Sequence, residues 1–434
     1  MRHINARELA YSVLLDVERN NAYSNIGLNH TLNAADADAR ERAQATRLVY
    51  GVLERKLTLD GVYGAYLRKG TRIKPNVRTL LRLGTYELTF CDGVPARAAV
   101  NEYVSLAKRE GCGYASGMIN AVLRRTAENG LILPSPDDPS FLIMKYSVPA
   151  PLIGLFREVY GDDLTAFLDS LCRKARVYGR VNTVKTDFPS LQHELASQNI
   201  AILPVDGLPE LFYFDGSAAF RDTEAFRNGL FYIQDLSSAC AGKLLDARDR
   251  MRVLDVCAAP GGKSFFAALS MHGTGEVVSR DIHAHKLRLI EDEAKKLGLA
   301  NIVPQLFDAG KTPGDEAFDR VICDVPCSGL GVIRKKPELR YRELSDIGSL
   351  CELQYGILCA AAGAVKKGGR IVYSTCTVTR SENEDIVARF LSLHSEFQEV
   401  RPALPFGEYG EYGVRFSPHR DDCDGFYACA MEKT

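Results

Sequence analysis

The sequence predicts a multidomain chain. An all-α front (residues 1–134) is followed by linker helices and a small α/β subdomain (140–235), then by an α/β back end (236–434) on a mostly parallel, doubly wound sheet. Three observations predict this. Apolar residues recur at helical spacing through residues 5–130. A Pro- and Asp-rich run, Pro134-Ser135-Pro136-Asp137-Asp138-Pro139, then breaks the pattern. From about residue 236, short β-branched runs alternate with helical stretches.

In the front, Leu9, Val13, Leu14 and Val17 fall at i, i+4, i+5 and i+8 on one helical face. Further helices are expected over 40–55, 75–90, 95–110 and 113–128. In the middle, helical patterns at 140–175 lead into Gly179-Arg180-Val181-Asn182-Thr183-Val184-Lys185-Thr186. Its alternation predicts a strand carrying Arg180, Asn182 and Lys185, and mixed helix and strand continue over 190–235. In the back end, strands are expected at Val253–Val256, Val277–Asp281, Ile302–Leu306, Arg320–Asp324 and Arg370–Thr375. A sheet of this kind binds ligands beyond the carboxyl ends of its strands.

Composition sets outer bounds. The net charge of −1 hides an asymmetry: residues 1–134 carry 19 basic and 13 acidic side chains, residues 135–235 carry 9 and 14, and residues 236–434 carry 26 and 28. A basic front end suits a polyanionic partner. No apolar run reaches the ~18 residues that span a bilayer, and the N-terminus has no signal-peptide core, so no membrane is expected and a cytoplasmic location is. The twelve cysteines form no CxxC pair, which points to free thiols in a reducing compartment and to no metal. There is no Trp, so stacking on a base falls to Tyr, Phe or Arg.

The first strand of the back end runs into Cys257-Ala258-Ala259-Pro260-Gly261-Gly262-Lys263-Ser264. A P-loop, GxxxxGK[ST], would need glycine where Cys257 stands, and no GxGxxG is present. What remains is a run of small residues at 257, 259 and 261 behind a strand-end acid. Either it is a tight turn with no ligand, or it lets a nucleoside approach the backbone closely. Carboxylates at the later strand ends favour the second. Asp281 ends the next strand and can accept both ribose hydroxyls. Asp308 follows the third and can accept from an adenine amino group, and Asp324 ends the fourth. Singly, each acid reads as a helix cap or surface group. In sequence order they suit S-adenosylmethionine, whose sulfonium favours a carboxylate-lined pocket.

Two cysteines stand at the same edge: Cys327 in Asp324-Val325-Pro326-Cys327-Ser328-Gly329, and Cys376 in Tyr373-Ser374-Thr375-Cys376-Thr377. A cysteine taken at random is a buried apolar group. Here the chemistry offers more. C5 of a pyrimidine is too weak a nucleophile to take a sulfonium methyl group, and a thiolate added at C6 turns C5 into an enamine carbon that can. Proton transfer at the base must assist, and Asp324 can hydrogen-bond the N3/N4 edge of cytosine against uracil. Exocyclic amine methylation would call for [DN]PP[YF], whereas this segment is DVPC. The stretch Ile333–Arg342 holds five basic residues and one acid; alone it reads as readily as a solvated loop, but beside the candidate catalytic Cys327 it is expected to clamp backbone phosphates.

Residues 257–263 (CAAPGGK), 324–331 (DVPCSGLG), 374–384 (STCTVTRSENE), 228–238 (NGLFYIQDLSS) and 424–427 (DGFY) resemble the RNA cytosine-C5 methyltransferases of the NOL1/NOP2/Sun class, over roughly residues 140–434. In the front, Asn5–Ala10, Leu48–Leu53, Ala99–Glu102 and Ile119–Arg124 resemble the all-helical domain of the antitermination factor NusB. The fusion is similar to bacterial 16S (small-subunit) rRNA cytosine-C5 methyltransferases. The resemblance implies a NusB-like RNA-binding domain, an RRM-like subdomain holding Gly179–Lys185, and a Rossmann-like class I methyltransferase domain with a mostly parallel seven-stranded sheet. It implies Cys376 as nucleophile, Cys327 as aid to product release, Asp324 at the base, and Lys263 orienting groups near the cofactor and the catalytic loop. S-adenosyl-L-methionine would contact Cys257, Ala258, Ala259, Pro260, Gly261, Gly262, Lys263, Asp281, Asp308 and Asp324. The implied partner is small-subunit rRNA, free or partly assembled, acted on by a monomer. Val325 and Tyr341 depart from the class, which usually has Ala and often Trp there. A tRNA cytosine-C5 methyltransferase and a non-catalytic RNA-binding or antitermination factor are the alternatives.

Overall fold

Leu9, Ala10, Val13 and Leu14 are buried along one face of the helix Ala6–Asn20, as their spacing requires, with Val17 partly covered beside them. This is the first helix of a computed structural model that describes residues 5–20, 38–216, 219–312 and 317–434. The chain divides into two compact units, Met1–Leu155 with Lys336–Arg342, and Phe156–Lys335 with Glu343–Thr434.

The first unit is helical among the described residues. Helices Ala39–Glu54, Lys56–Gly64, Pro75–Phe90, Ala96–Arg109, Ser116–Asn129 and Phe141–Tyr146 follow the first. Asp38 caps the second, its carboxylate accepting from the Glu41 N–H at 2.8 Å, and Pro75 opens the helix that follows the 65–74 loop. The helix Pro75–Phe90 is buried along most of its length, so its polar groups need partners. The Arg82 guanidinium meets Asp60 at 2.7 Å and Glu18 at 2.6 Å, and Glu87 accepts from Tyr103 at 2.6 Å and from Arg7. Residues 336–342 belong to this unit, where Arg340 donates to the carbonyls of Glu54 (3.0 Å) and Tyr146 (3.1 Å).

The second unit contains two sheets. The smaller is antiparallel, ordered β2-β3-β1-β4, from β1 (Tyr178–Val181), β2 (Ile202–Val205), β3 (Leu208–Phe214) and β4 (Phe231–Ile233). The strand expected over 179–186 stops at Val181, and its polar residues are spent internally. Arg180 lies over the Phe266 ring at 3.8 Å. Asn182 donates to the carbonyls of Gly229 (2.8 Å) and Leu297 (2.7 Å), and Lys185 to those of Asn228 (2.8 Å) and Lys296 (2.6 Å).

Among the described residues the larger sheet has nine strands rather than the seven expected. Its parallel half consists of β5 (Arg252–Asp255), β6 (Glu276–Asp281), β7 (Ile302–Leu306), β8 (Phe318–Asp324) and β9 (Val365–Thr375). The extra strands come from the C-terminal segment. β13 (Phe426–Lys433) runs antiparallel to β9, and its outer edge is covered twice, by β12 (Val414–Phe416) along its first half and by β10 (Phe397–Val400) along its second; β11 (Glu408–Tyr409) pairs with β12. Two short strands thus cover one long edge that would otherwise expose its backbone groups.

The chain proceeds from β5 outward to β6 and β7, then returns to lay β8 and β9 on the other side of β5. The carboxyl ends of β5 and β8 therefore flank the point where the winding reverses, which is where an open α/β sheet leaves its ligand crevice. Apolar clusters cover both faces, one around Phe265, Phe266 and Leu287, the other around Phe318, Tyr373 and Phe390.

Candidate active site

Strands β5, β6, β8 and β9 each deliver polar chemistry to one edge. β5 ends on Asp255, which is buried. One of its oxygens accepts from the Ser264 hydroxyl at 2.7 Å, and that hydroxyl accepts from Ser279 at 2.8 Å. The other oxygen is buried with no hydrogen-bond partner among the described residues. Burial pushes this carboxyl up to about 7; the Ser264 bond works against the shift and the charge of Asp324 adds to it.

The turn after β5 is built on close approach. The Ala258 N–H donates to the Arg280 carbonyl and the Gly261 N–H to the Ala258 carbonyl, each at 2.7 Å. Gly261 sits at φ +112°, where a Cβ would stand 2.3 Å from the Phe265 ring, so only glycine fits. Ala258 is buried, Ala259, Cys257, Gly262 and Lys263 are half-buried, and Pro260 is exposed. Burial raises the Cys257 thiol, and the charges of Asp255, Asp324 and Asp281 add to that. Asp281, 7% exposed, caps the next turn by accepting from the His283 N–H at 2.9 Å. Asp308 is not drawn into this group. It is half-exposed, and its carboxylate bonds the Gly310 N–H of its own loop at 3.0 Å.

On the other side of β5, Asp324 is gripped at both oxygens: Lys263 Nζ at 2.8 Å and Ser374 Oγ at 2.6 Å. The ammonium also lies 5.0 Å from the Phe426 ring centre. The Cys327 and Cys376 Sγ atoms are 3.3 Å apart. The contact with Cys376, then burial, holds the Cys327 thiol well above its ordinary range. The loops bearing the thiols are stitched to the C-terminal motif. The Gly331 N–H donates to the Cys376 carbonyl at 3.0 Å and the Gly425 N–H to the Gly331 carbonyl at 2.9 Å, and a Cβ on Gly331 would fall 1.8 Å from the Gly425 oxygen.

Lys263, Asp324, Cys327 and Cys376 thus come to one edge, together with the turn at 257–262. Sequence reasoning missed Ser374, which bonds Asp324 at 2.6 Å, and the buried Glu382, whose carboxylate accepts from the Ser328 N–H at 2.8 Å and the Thr379 hydroxyl at 2.7 Å. Both lay inside the quoted STCTVTRSENE segment. The basic strip at 333–342 is a correction. Arg334 is buried against Asp422 (3.1 Å) and the Cys423 carbonyl (3.1 Å), and Lys335 bridges Asp235 (2.6 Å) and Asp424 (2.9 Å). With Arg340 also engaged, three of its cations are taken up by the protein's own carboxylates and carbonyls, and a phosphate clamp is not what they form.

Comparison with known proteins agrees with this geometry. Residues 242–432 match the family model described as 16S rRNA methyltransferase RsmB/F, and residues 4–128 match the NusB family. The chain is 35% identical to the probable ribosomal RNA small subunit methyltransferase B of Bacillus subtilis, with both chains covered in full. The chain belongs to the RsmB/F family of 16S rRNA methyltransferases. Within that family it is also 34% identical to the ribosomal RNA small subunit methyltransferase B of Thermus thermophilus, over 100% of this chain and 99% of that one. Among solved structures, that of PH0851 superposes with a TM-score of 0.84 at 26% identity, covering 100% of this chain and 99% of its own. NSun6 from Pyrococcus horikoshii, solved with SFG, shares the fold at TM-score 0.62 and 22% identity, over 66% of this RsmB/F chain and 98% of its own.

Proposed function

We propose that this RsmB/F member methylates C5 of a cytosine in small-subunit rRNA, with S-adenosylmethionine as methyl donor and a covalent cysteine–C6 adduct on the way. The observation that carries the reading is the pair of thiols 3.3 Å apart at neighbouring strand ends, beside an aspartate held by a lysine. One cysteine would serve a nucleophile; two in contact suit addition followed by elimination.

The residues at the edge fit the cofactor. An orphaned carboxylate oxygen on Asp255, a tight turn that admits only glycine at 261 and the buried Asp281 make an acidic site for a cationic nucleoside. Residues Cys257–Lys263 would line it, and Asp281 would take the ribose hydroxyls. When bound, S-adenosylmethionine supplies an electrophilic methyl group to C5. The chain's own residues do the rest. Cys376 Sγ adds to C6. Asp324, held by Lys263 and Ser374, takes the proton that the Cys376 thiol gives up and delivers it to N3, which carries none in cytosine and becomes basic as sulfur adds; it also accepts from the N4 amino group, a role uracil O4 would not satisfy. After transfer, the C5 proton passes to water in the cleft, N3 returns its proton to Asp324, the freed electron pair closes the C5–C6 double bond, and Cys376 leaves as its thiolate, an elimination that Cys327 assists.

Exposed Arg68, Lys69, Arg72 and Lys74, in the loop before the helix Pro75–Phe90, support an RNA-docking role for the helical unit. The direct test is bisulfite sequencing of rRNA and tRNA from a strain lacking the protein, with and without restoring it. Loss and recovery of one protected cytosine in small-subunit rRNA is expected. Protection lost only in tRNA, or lost nowhere, would overturn the reading.

A further inference from the structure

Glu382 is fully buried in the loop after β9. Its carboxylate accepts from the Ser328 N–H (2.8 Å), the Ser328 hydroxyl (2.6 Å), the Gln354 amide (3.0 Å), the Thr379 hydroxyl (2.7 Å) and the Thr377 hydroxyl (3.3 Å). These donors come from three segments: the loop after β8, the loop after β9, and the helix Ile347–Gly363, whose Gln354 also donates to the Pro326 carbonyl at 2.9 Å. All five are neutral. Ser328 directly follows Cys327 and Thr377 directly follows Cys376, and their hydroxyl oxygens are 2.7 Å apart. A carboxylate is expensive to bury, and neutral side chains of similar volume would pack a loop junction at lower cost. A carboxylate only accepts. It therefore fixes where each surrounding proton points and draws both loops to one centre.

We propose that Glu382 is a positioning residue for the thiol pair: acting through Ser328 and Thr377, it sets the placement from which Cys376 adds to the base and Cys327 assists elimination. This rests on the two-cysteine reading above. Misplacing a reacting group by 1 Å costs on the order of 10²-fold in rate, so a slackened brace should be visible in the chemical step.

The test uses the full-length Cys327→Ala protein, in which the adduct should accumulate, with and without Glu382→Gln. In single-turnover mixing with small-subunit rRNA and S-adenosylmethionine, Glu382→Gln should slow adduct formation at least tenfold while the half-saturating RNA concentration changes less than threefold. A rate within twofold of the parent, or a loss carried entirely by RNA affinity, overturns the proposal. If the Glu382→Gln protein fails to fold by near-ultraviolet circular dichroism, Thr379→Val removes one donor, and a rate within 1.5-fold of the parent then counts against the proposal. If the parent forms no adduct, the two-cysteine reading fails by itself. Glu382 is then judged by iodoacetamide alkylation of Cys376 in the protein with Cys327 intact: a rate changed at least fivefold by Glu382→Gln supports the brace, and an unchanged rate overturns it.

Discussion

The two halves of the parallel sheet meet at β5 and solve different problems. On the β5–β6–β7 side, the acids act one by one. Asp281 and Asp308 each touch their own turn, and Asp255 keeps one oxygen unpartnered. On the β8–β9 side, nothing acts alone. Asp324 is held by Lys263 and Ser374, the thiols touch, and Glu382 gathers donors from three segments. An open set of acceptors suits a small cation that comes and goes, whereas a braced set suits a reaction in which two sulfurs and a base must keep their separations. Substitutions on the first side should therefore weaken binding and leave chemistry alone. On the second side they should slow chemistry and leave binding alone.

The largest effect short of the thiols is expected at Asp324. Asp324→Asn keeps the shape but loses the ion pair to Lys263 and the group that carries a proton to N3. We predict a fall in kcat of about 10²-fold, within the usual range for losing general acid–base assistance, read by single-turnover methyl transfer. A kcat within threefold of the unmodified protein would blur the contrast between the halves. A smaller and different effect is expected at Asp281. Asp281→Asn removes one charged acceptor, about 1.5 kcal/mol, so the Kd for S-adenosylmethionine by calorimetry should rise roughly tenfold. At saturating cofactor kcat should stay within twofold, and a large kcat loss would mean that the first half also carries chemistry.

A third effect concerns stability and not turnover. Burial raises the Asp255 carboxyl from 3.8 to about 7. A group whose folded pKa is raised holds its proton more tightly in the folded state. Stability should therefore fall as pH rises from about 4 to about 7, then level off. Asp255→Asn cannot ionise, so its unfolding temperature relative to that of the unmodified protein should climb across that window. Parallel curves for the two proteins from pH 4 to 8 would remove Asp255 as the titrating group.

The same contrast explains what was legible in the sequence. The helices of the front and the five parallel strands show in periodicity because each is local. So does the turn at 257–263, where small residues and a strand-end acid lie within one short run. The brace does not show. Ser328 and Glu382 are 54 residues apart, and only the return of β9 alongside β8 brings them together. The basic strip misleads for the same reason. Composition reports charge and not partner, and the partners of Arg334 and Lys335 are Asp422, Asp424 and Asp235, carboxylates far away in the chain. The edge strands β10, β11 and β12 are too short and too mixed in pattern to be read without β13 beside them.

The central claim is that the two thiols divide addition and release between them. Its most direct test is denaturing electrophoresis of labelled small-subunit rRNA mixed with S-adenosylmethionine and each single variant. Cys327→Ala should retain the RNA covalently, in a band lost when Cys376→Ala is added. Cys376→Ala alone should give neither adduct nor methylated product. Robust methylation by Cys376→Ala, or an adduct that forms without Cys376, would contradict the account.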